Sequence, residues 1–244
     1  MPNICAIDFG VSNFAAVVCN DGSSMLYKGG AVLSECQWFH KKRAKAVSII
    51  TKGHEHMHAS SRYLSALSRH HADFIKDQCH KISRSIINYC MEHHASTLVL
   101  GENKRWKQDC DMGSQNNQNF VSMPTGLLKQ MIIYKASDAG IKIIMQEESY
   151  TSQADITAMD YIPVYGVDAE NAVFSGRRIS RSLYRCFNGM IINADCNGAA
   201  NIMRKAITDA WNSITDFSFL ASPEVSGFHE LNPLSISVKG IAAA

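Results

Sequence analysis

Three short apolar runs open the chain, ICAIDFG, FAAVVCN and SMLYKGG, and only Ser12-Asn13 and Asn20-Asp21-Gly22 separate them. Turns that tight join antiparallel neighbours, so the runs read as a three-strand meander. From about Ser60 to His94 the period changes. Leu64, Leu67, His71, Phe74, Ile75, Cys79, Ile82, Ile86, Tyr89 and Cys90 recur at helical spacing, which predicts a long amphipathic helix. The strand TLVLGEN follows, and TGLLKQMIIYKASDAG reads as a second helix with Thr125 near its start and Gly140 as its stop. IKIIMQEE is a further strand and GAANIMRKAITDAW a last helix. From about Asp216 the chain turns Ser- and Pro-containing and ends in alanines, the composition of a loose tail.

Within this frame ICAIDFG poses a question, because Asp8 closes a run of buried character. A lone carboxylate in an apolar setting is costly or changes its protonation state. Either Asp8 caps the turn into Gly10, or partners come to it from elsewhere. Meander, helix, strand, helix, strand, helix is the order of an RNase H-like α/β domain with a central mixed sheet flanked by helices. There the first strand lies beside the fourth, and the last helix crosses near their ends. Asp8 at the end of the first strand, Glu102 at the end of the fourth and Asp195 just before the last helix then meet at one spot. Three clustered carboxylates repel one another without a cation. Mg²⁺ or Mn²⁺ takes such oxygen ligands, and two ions about 4 Å apart clamp the attacking water and leaving oxygen of a phosphodiester.

Composition narrows the class. A chain of 244 residues, 46% hydrophobic and 19% charged, has the make-up of a globular protein rather than a disordered one. No apolar run approaches the ~20 residues of a membrane span, and the first residues lack a signal peptide's pattern, so the expected location is cytoplasmic. The eight cysteines include no CxxC pair and read as buried thiols rather than a disulfide framework. The net charge is only +2, yet its distribution is uneven. No acid lies between Glu35 and Glu55, where Lys41, Lys42, Arg43, Lys45 and Lys52 fall. None lies between Glu170 and Asp195 either, where Arg177, Arg178, Arg181 and Arg185 fall. These segments are either solvated faces or tracks for a polyanion, with Trp38, Phe39 and Tyr184 at hand to stack on bases.

GHEHMH matches HExxH, the zinc metalloprotease pattern, with His54 and His58 as ligands and Glu55 as base. Its surroundings are polar, Gly53 is a poor residue inside a helix, and no third ligand is evident. A His-rich surface turn is the alternative.

The stretches AIDFGVSN, LVLGENKRWKQ, NFVSMPTGLLKQMIIYKASDAGIKI, EESYTSQAD and INADCNGAANIMRKA, in this order from about Pro2 to Ala206, resemble the RuvC-like nuclease half of the TnpB family. This family, also called OrfB, comprises transposon-encoded relatives of the type V CRISPR effectors. The resemblance implies an RNA-guided DNA endonuclease whose divalent-metal site falls on Asp8, Glu102 and Asp195, with DNA and guide RNA as partners. Family members carry an N-terminal wedge and recognition half, whereas Met1 here immediately precedes the first RuvC strand, so a truncated chain is expected. Many relatives insert a zinc ribbon of two Cys pairs between the positions of Tyr150 and Asp195. Only Cys186, with Cys196 just beyond, stands here, too few for a structural zinc.

The expected organisation is a RuvC-like core with inserted helices over 1–150, then a small zinc-free basic insertion over 151–194 that faces nucleic acid. The last RuvC helix with the third acid follows over 195–215, and a loose tail over 216–244. Glu148 is a candidate supporting acid or a solvent-facing strand end. Tyr150, Thr151 and Ser152 match the family's motif after the fifth strand, where their hydroxyls contact phosphate or shape the turn. The polar stretch from Lys104 to Asn119 is long enough to form a flap over the cleft. A binding module that holds DNA or RNA without cutting it, as a remnant or regulator of transposition, is the main rival function.

Overall fold

The computed structural model describes residues 2–53, 59–102, 122–167 and 172–232. The meander forms as expected: β1 (Asn3–Asp8), β2 (Asn13–Cys19) and β3 (Ser23–Lys28) pair antiparallel in sequence order. Two helices follow, α1 (Gly30–Ile50) and α2 (Arg62–Glu92), the second capped by the Ser61 side chain, which accepts from the Leu64 N–H. The chain then re-enters the sheet as β4 (Ala95–Glu102), crosses over through α3 (Thr125–Asp138) and adds β5 (Lys142–Glu147). Both β4 and β5 run parallel to the strand before them in the sheet, and β1 lies directly beside β4, with Ile7 opposite Leu100.

Side chains alternate across a strand, and here the alternation divides the interior into two layers. Cys5, Ile7, Phe14, Val17, Leu98 and Leu100 face α1, α2 and α3, where they meet Ile82, Ile86, Leu128 and Ile132. Ala6, Ala16, Val18 and Val99 face the opposite way, onto Ala199, Ala200, Ile202 and Met203 of α4 (Ala194–Ala206). The small residues on this second face let α4 lie close against β1 and β2. All seven described cysteines are free and buried, as their scatter suggested.

The basic insertion forms a second, three-stranded antiparallel sheet, β6 (Arg177–Arg178), β7 (Leu183–Arg185) and β8 (Ile191–Asn193). Two buried aspartates tie the loops before it. The Asp155 carboxylate accepts from the Thr157 N–H and hydroxyl and from the Phe187 N–H. That of Asp160 accepts from the Asp155 and Ser175 N–H groups and the Ser175 hydroxyl.

Two expectations need correction. Asp195 lies not before the last helix but inside its first turn, because Asn193 is the cap and its side chain accepts from the Asp195 and Cys196 N–H groups. The segment from Asp216 is not loose over its described part. A 3₁₀ turn at Ser218–Leu220 precedes β9 (Glu224–Ser226), which pairs parallel with β3 at the sheet edge, and α5 (Phe228–Leu231) follows. Phe217 and Leu220 are buried with Trp211, whose ring meets Phe217 edge-on at 5.5 Å between centroids. This apolar cluster repays the ordering of a Ser- and Pro-containing stretch. Leu220→Ala should therefore cost about 2–5 kcal/mol in urea unfolding, as other buried Leu truncations do; an unchanged midpoint would restore the loose tail.

Candidate nuclease site

Asp8 has the parity of Ala6, so the pleat aims it at the α4 face. There α4 presents Gly198, whose absent Cβ would lie 2.7 Å from Asp8 Oδ2. Any larger residue would push the carboxylate aside. Gly101 of β4, next to Asp8 across the strand pair, does the same for Glu148: its absent Cβ would lie 2.5 Å from Glu148 Oε2. Two glycines thus make room for two carboxylates.

Asp195 reaches the same face from the first turn of α4, and both its oxygens are engaged. Oδ2 accepts from Asn13 Nδ2 at 2.7 Å, and Oδ1 accepts from Arg178 Nη2 at 3.1 Å. Arg178 also donates to the Arg181 carbonyl, which folds it back over its own lobe. Burial pushes Asp8 well above the usual carboxylate range, and the Glu148 and then Asp195 charges add to this, while Arg178 and Lys129 oppose it. Burial likewise raises Glu148.

Glu102 stands differently from its expected partners. It closes β4 with the parity of Leu98 and Leu100, which face the α1–α3 layer, and its charge acts on Lys129 of α3. Lys129 itself donates to the Gly101 carbonyl, lies 4.8 Å from the Phe9 ring centroid, and is lowered by burial. The structure therefore brings Asp8, Asp195 and Glu148 to one face, with Glu102 beyond Gly101 at the end of the adjacent strand. Among the described residues no group of three or more His, Cys, Asp or Glu is close enough to hold a metal ion.

The basic candidates divide in two. Lys41, Lys42, Arg43, Lys45 and Lys52 are exposed, the first four on the outer half of α1, whose buried residues, Val32 and Cys36, lie in its first half. Arg177, Arg181 and Arg185 are exposed on the small sheet, whereas Arg178 is committed to Asp195. The aromatic expectations are corrected in part. Tyr184 is fully buried with its hydroxyl on the Gln153 carbonyl at 2.6 Å, so its ring is closed to a base, and one face of the half-buried Phe39 ring is taken by His71 at 4.1 Å. Trp38 remains 42% exposed.

Of the two readings of Thr151, the geometry carries the turn. Thr151 is buried, and its hydroxyl donates to the Glu148 carbonyl at 2.7 Å, closing the turn after β5. Tyr150 sits in this turn at φ 66°, a left-handed conformation that costs a non-glycine residue about 1–3 kcal/mol, with its ring against Phe174. Ser152 is exposed. The residues of the HExxH match, His54, Glu55 and His58, and the stretch from Lys104 to Asn119 lie outside the described residues.

The raised Asp8 gives a pH dependence of definite sign. A folded state that retains a proton the unfolded chain has released is most stable, in this respect, below the ordinary Asp value of about 4. That stability declines as pH rises toward the folded value. Metal-free Asp8→Asn should therefore gain stability over wild type, by a margin that grows with pH from about 4 upward, in urea melts with chelator. A margin that is constant or shrinks with pH would show that Asp8 is not desolvated.

A family model described as a probable transposase, OrfB_IS605, matches residues 3–107, and a Cas12f1-like TNB domain model matches residues 126–202. The TnpB-like protein ORF457 of Acidianus two-tailed virus is 25% identical over 219 residues, 86% of this chain and 43% of that protein. The CRISPR-associated endodeoxyribonuclease Cas12f1 of Sulfoacidibacillus thermotolerans is 31% identical over 132 residues, 54% of this chain and 27% of that protein. The chain thus spans less than half the length of the relatives it matches. Among solved structures, a Cas12f1-sgRNA-target DNA complex superposes with a TM-score of 0.57 at 16% identity, over 82% of this chain and 49% of that one, a likeness of fold. Both models fall on the segments that carry most of the sheet and its acids, and with these relatives they fit the TnpB family, related to the type V CRISPR effectors.

Proposed function

We propose that the chain carries the cleavage site of a TnpB-like RNA-guided DNA endonuclease, set on an RNase H-like sheet and dependent on Mg²⁺ or Mn²⁺. The observation that supports this reading most is the convergence of Asp8 and Asp195 on one face, from the ends of β1 and α4, beside the end of β4. The donor chemistry fits a hard divalent ion, since the converging groups are carboxylates and Gly198 leaves just the room that the Asp8 carboxylate needs. Asp8 and Asp195 would hold the ion, with Glu148 a further carboxylate beside Asp8, and Glu102, whose parity turns it to the other layer, would have to swing over the end of β4 to join them. Such an ion supplies a water activated for attack and neutralises charge at the leaving oxygen of a phosphodiester.

The chain's own side chains do the rest. Arg177, Arg181 and Arg185 on the small sheet and Lys41, Lys42, Arg43 and Lys45 on α1 contact phosphates and hold the strand. Arg178 leaves Asp195 Oδ1 when a phosphate competes for its guanidinium, which frees that oxygen. DNA is the substrate, and guide RNA joins through the part of the relatives' length that this chain does not match. One observation favours a non-cleaving, nucleic-acid-binding role instead: Arg178 already neutralises Asp195 in the protein alone.

The purified chain with Mn²⁺ and single-stranded DNA distinguishes the two. Mn²⁺ should raise the wild-type melting temperature and support strand cleavage, and Asp8→Ala, Glu102→Ala or Asp195→Ala should each lower cleavage at least about 100-fold while DNA binding survives. No melting shift and no cleavage by the wild type would leave the binding role in its place. Charge reversal at Arg177, Arg181 and Arg185, with Arg178 left intact, should weaken single-strand binding and reduce the slope of log K against log salt by about 2, at ~0.7 per lost contact. An unchanged slope would show that these arginines face solvent.

A further inference from the structure

Asn13 opens β2, is 5% exposed, and is engaged at both ends of its amide. Its Oδ1 accepts from Lys28 Nζ at 2.9 Å, and its Nδ2 donates to Asp195 Oδ2 at 2.7 Å. Asn13 and Lys28 are register partners across β2 and β3, so the lysine is placed by the sheet itself. The turn before Asn13 is fixed as well, since a Cβ at Gly10 would lie 2.8 Å from the Asn13 carbonyl oxygen. A chain of contacts therefore runs from β3 through β2 to the first turn of α4.

Its chemistry has a direction. An ammonium group only donates, so the amide oxygen must face Lys28 and the NH₂ must face Asp195. The NH₂ in turn only donates, so Asp195 Oδ2 must accept. The lysine charge polarises the amide and strengthens that donation. The two partners of Asp195 thus differ in kind. Asn13 is buried and anchored in the sheet, whereas Arg178, on Oδ1, comes from an exposed position on the small lobe.

We propose that Asn13, backed by Lys28, is the positioning residue for Asp195: it holds Oδ2 and so turns Oδ1 toward a divalent cation once Arg178 departs. The inference rests on the reading of Asp195 as a metal ligand. A group of this kind acts through the ligand it orients, and removing such groups typically lowers metal affinity 10–100-fold.

The test is Mn²⁺ binding to the purified chain, followed by the paramagnetic resonance signal of free Mn²⁺. Asn13→Leu, of similar volume, should weaken Mn²⁺ binding about 10–100-fold. On an Asp195→Asn background the same change should have less than about a threefold effect, because the carboxylate it orients is gone. Lys28→Met, at the exposed end of β3, should weaken binding about threefold, and it decides the matter should Asn13→Leu fail to fold. A merely structural Asn13 would lower the melting temperature without this coupling. Wild-type affinity in Asn13→Leu, in Lys28→Met where it decides, or losses that simply add to those of Asp195→Asn, would overturn the positioning role and leave the proposed function standing. Absence of Mn²⁺ binding by the wild type would overturn both.

Discussion

The parallel pairing of β1 with β4 is the constraint on which the rest of the structure depends. Neighbouring parallel strands cannot be joined by a tight turn, so the chain must leave the sheet and return in the same direction. Here α1 and α2 form that excursion and become the cover of one face. The register, Ile7 opposite Leu100, then fixes Asp8 beside Gly101 and ends both strands at the same edge of the sheet. A slip by one residue would turn Ala6 and Val99 toward the long helices and Asp8 away from α4, because the side-chain period is two. Packing of the apolar residues is thus what aims the acid.

That same parity separates acids which look equivalent in the sequence. Asp8 follows Ile7 and so belongs to the α4 face, while Glu102 follows Gly101 and so belongs to the other. Glu148, beyond the end of β5, lies over Gly101 and occupies the position next to Asp8 on the α4 face. Cations offset part of the repulsion: Arg178 from the small lobe and Lys129 from α3 both lower Asp8 against the effect of its neighbours. The protein's own side chains therefore offset part of the charge of its acidic cluster.

Most of the framework was legible in the sequence because its elements are long or strictly periodic. Short apolar runs between tight turns marked β1 to β3, and the apolar stripe of α2 ran from Leu64 to Cys90. The order of those elements sufficed to set β1 beside β4 and to bring Asp195 toward Asp8, whereas Glu102 belongs to the other face. α1 escaped notice because only Val32 and Cys36 along its length are buried, so it has little stripe to read, and its basic run looked like the main feature. β9 escaped because three residues, Glu224 to Ser226, carry no pattern, and their strand character comes from pairing with β3 almost 200 positions earlier in the chain. Tyr184 illustrates a different limit: an aromatic in a basic stretch reads as an open ring, but this one is buried with its hydroxyl on the Gln153 carbonyl, which only the folded chain brings near.

The small lobe shows how a short sheet is held in place by the rest of the fold. A short three-stranded sheet buries too little apolar surface to be stable alone. Here Tyr184 and Ile192 join the core beneath α4, so the lobe is not a separate unit but an extension of the second layer. The irregular loops that precede it are tied by Asp155 and Asp160, each accepting three hydrogen bonds from backbone and hydroxyl donors. Each carboxylate thereby gathers several chain segments about one centre of charge. Because β8 runs directly into α4, with Asn193 closing the strand and capping the helix, the placement of Asp195 depends on how firmly this lobe is held. The lobe that supplies Arg178 to Asp195 also sets the angle at which Asp195 arrives, so the exposed arginines of the lobe are mechanically connected to that acid.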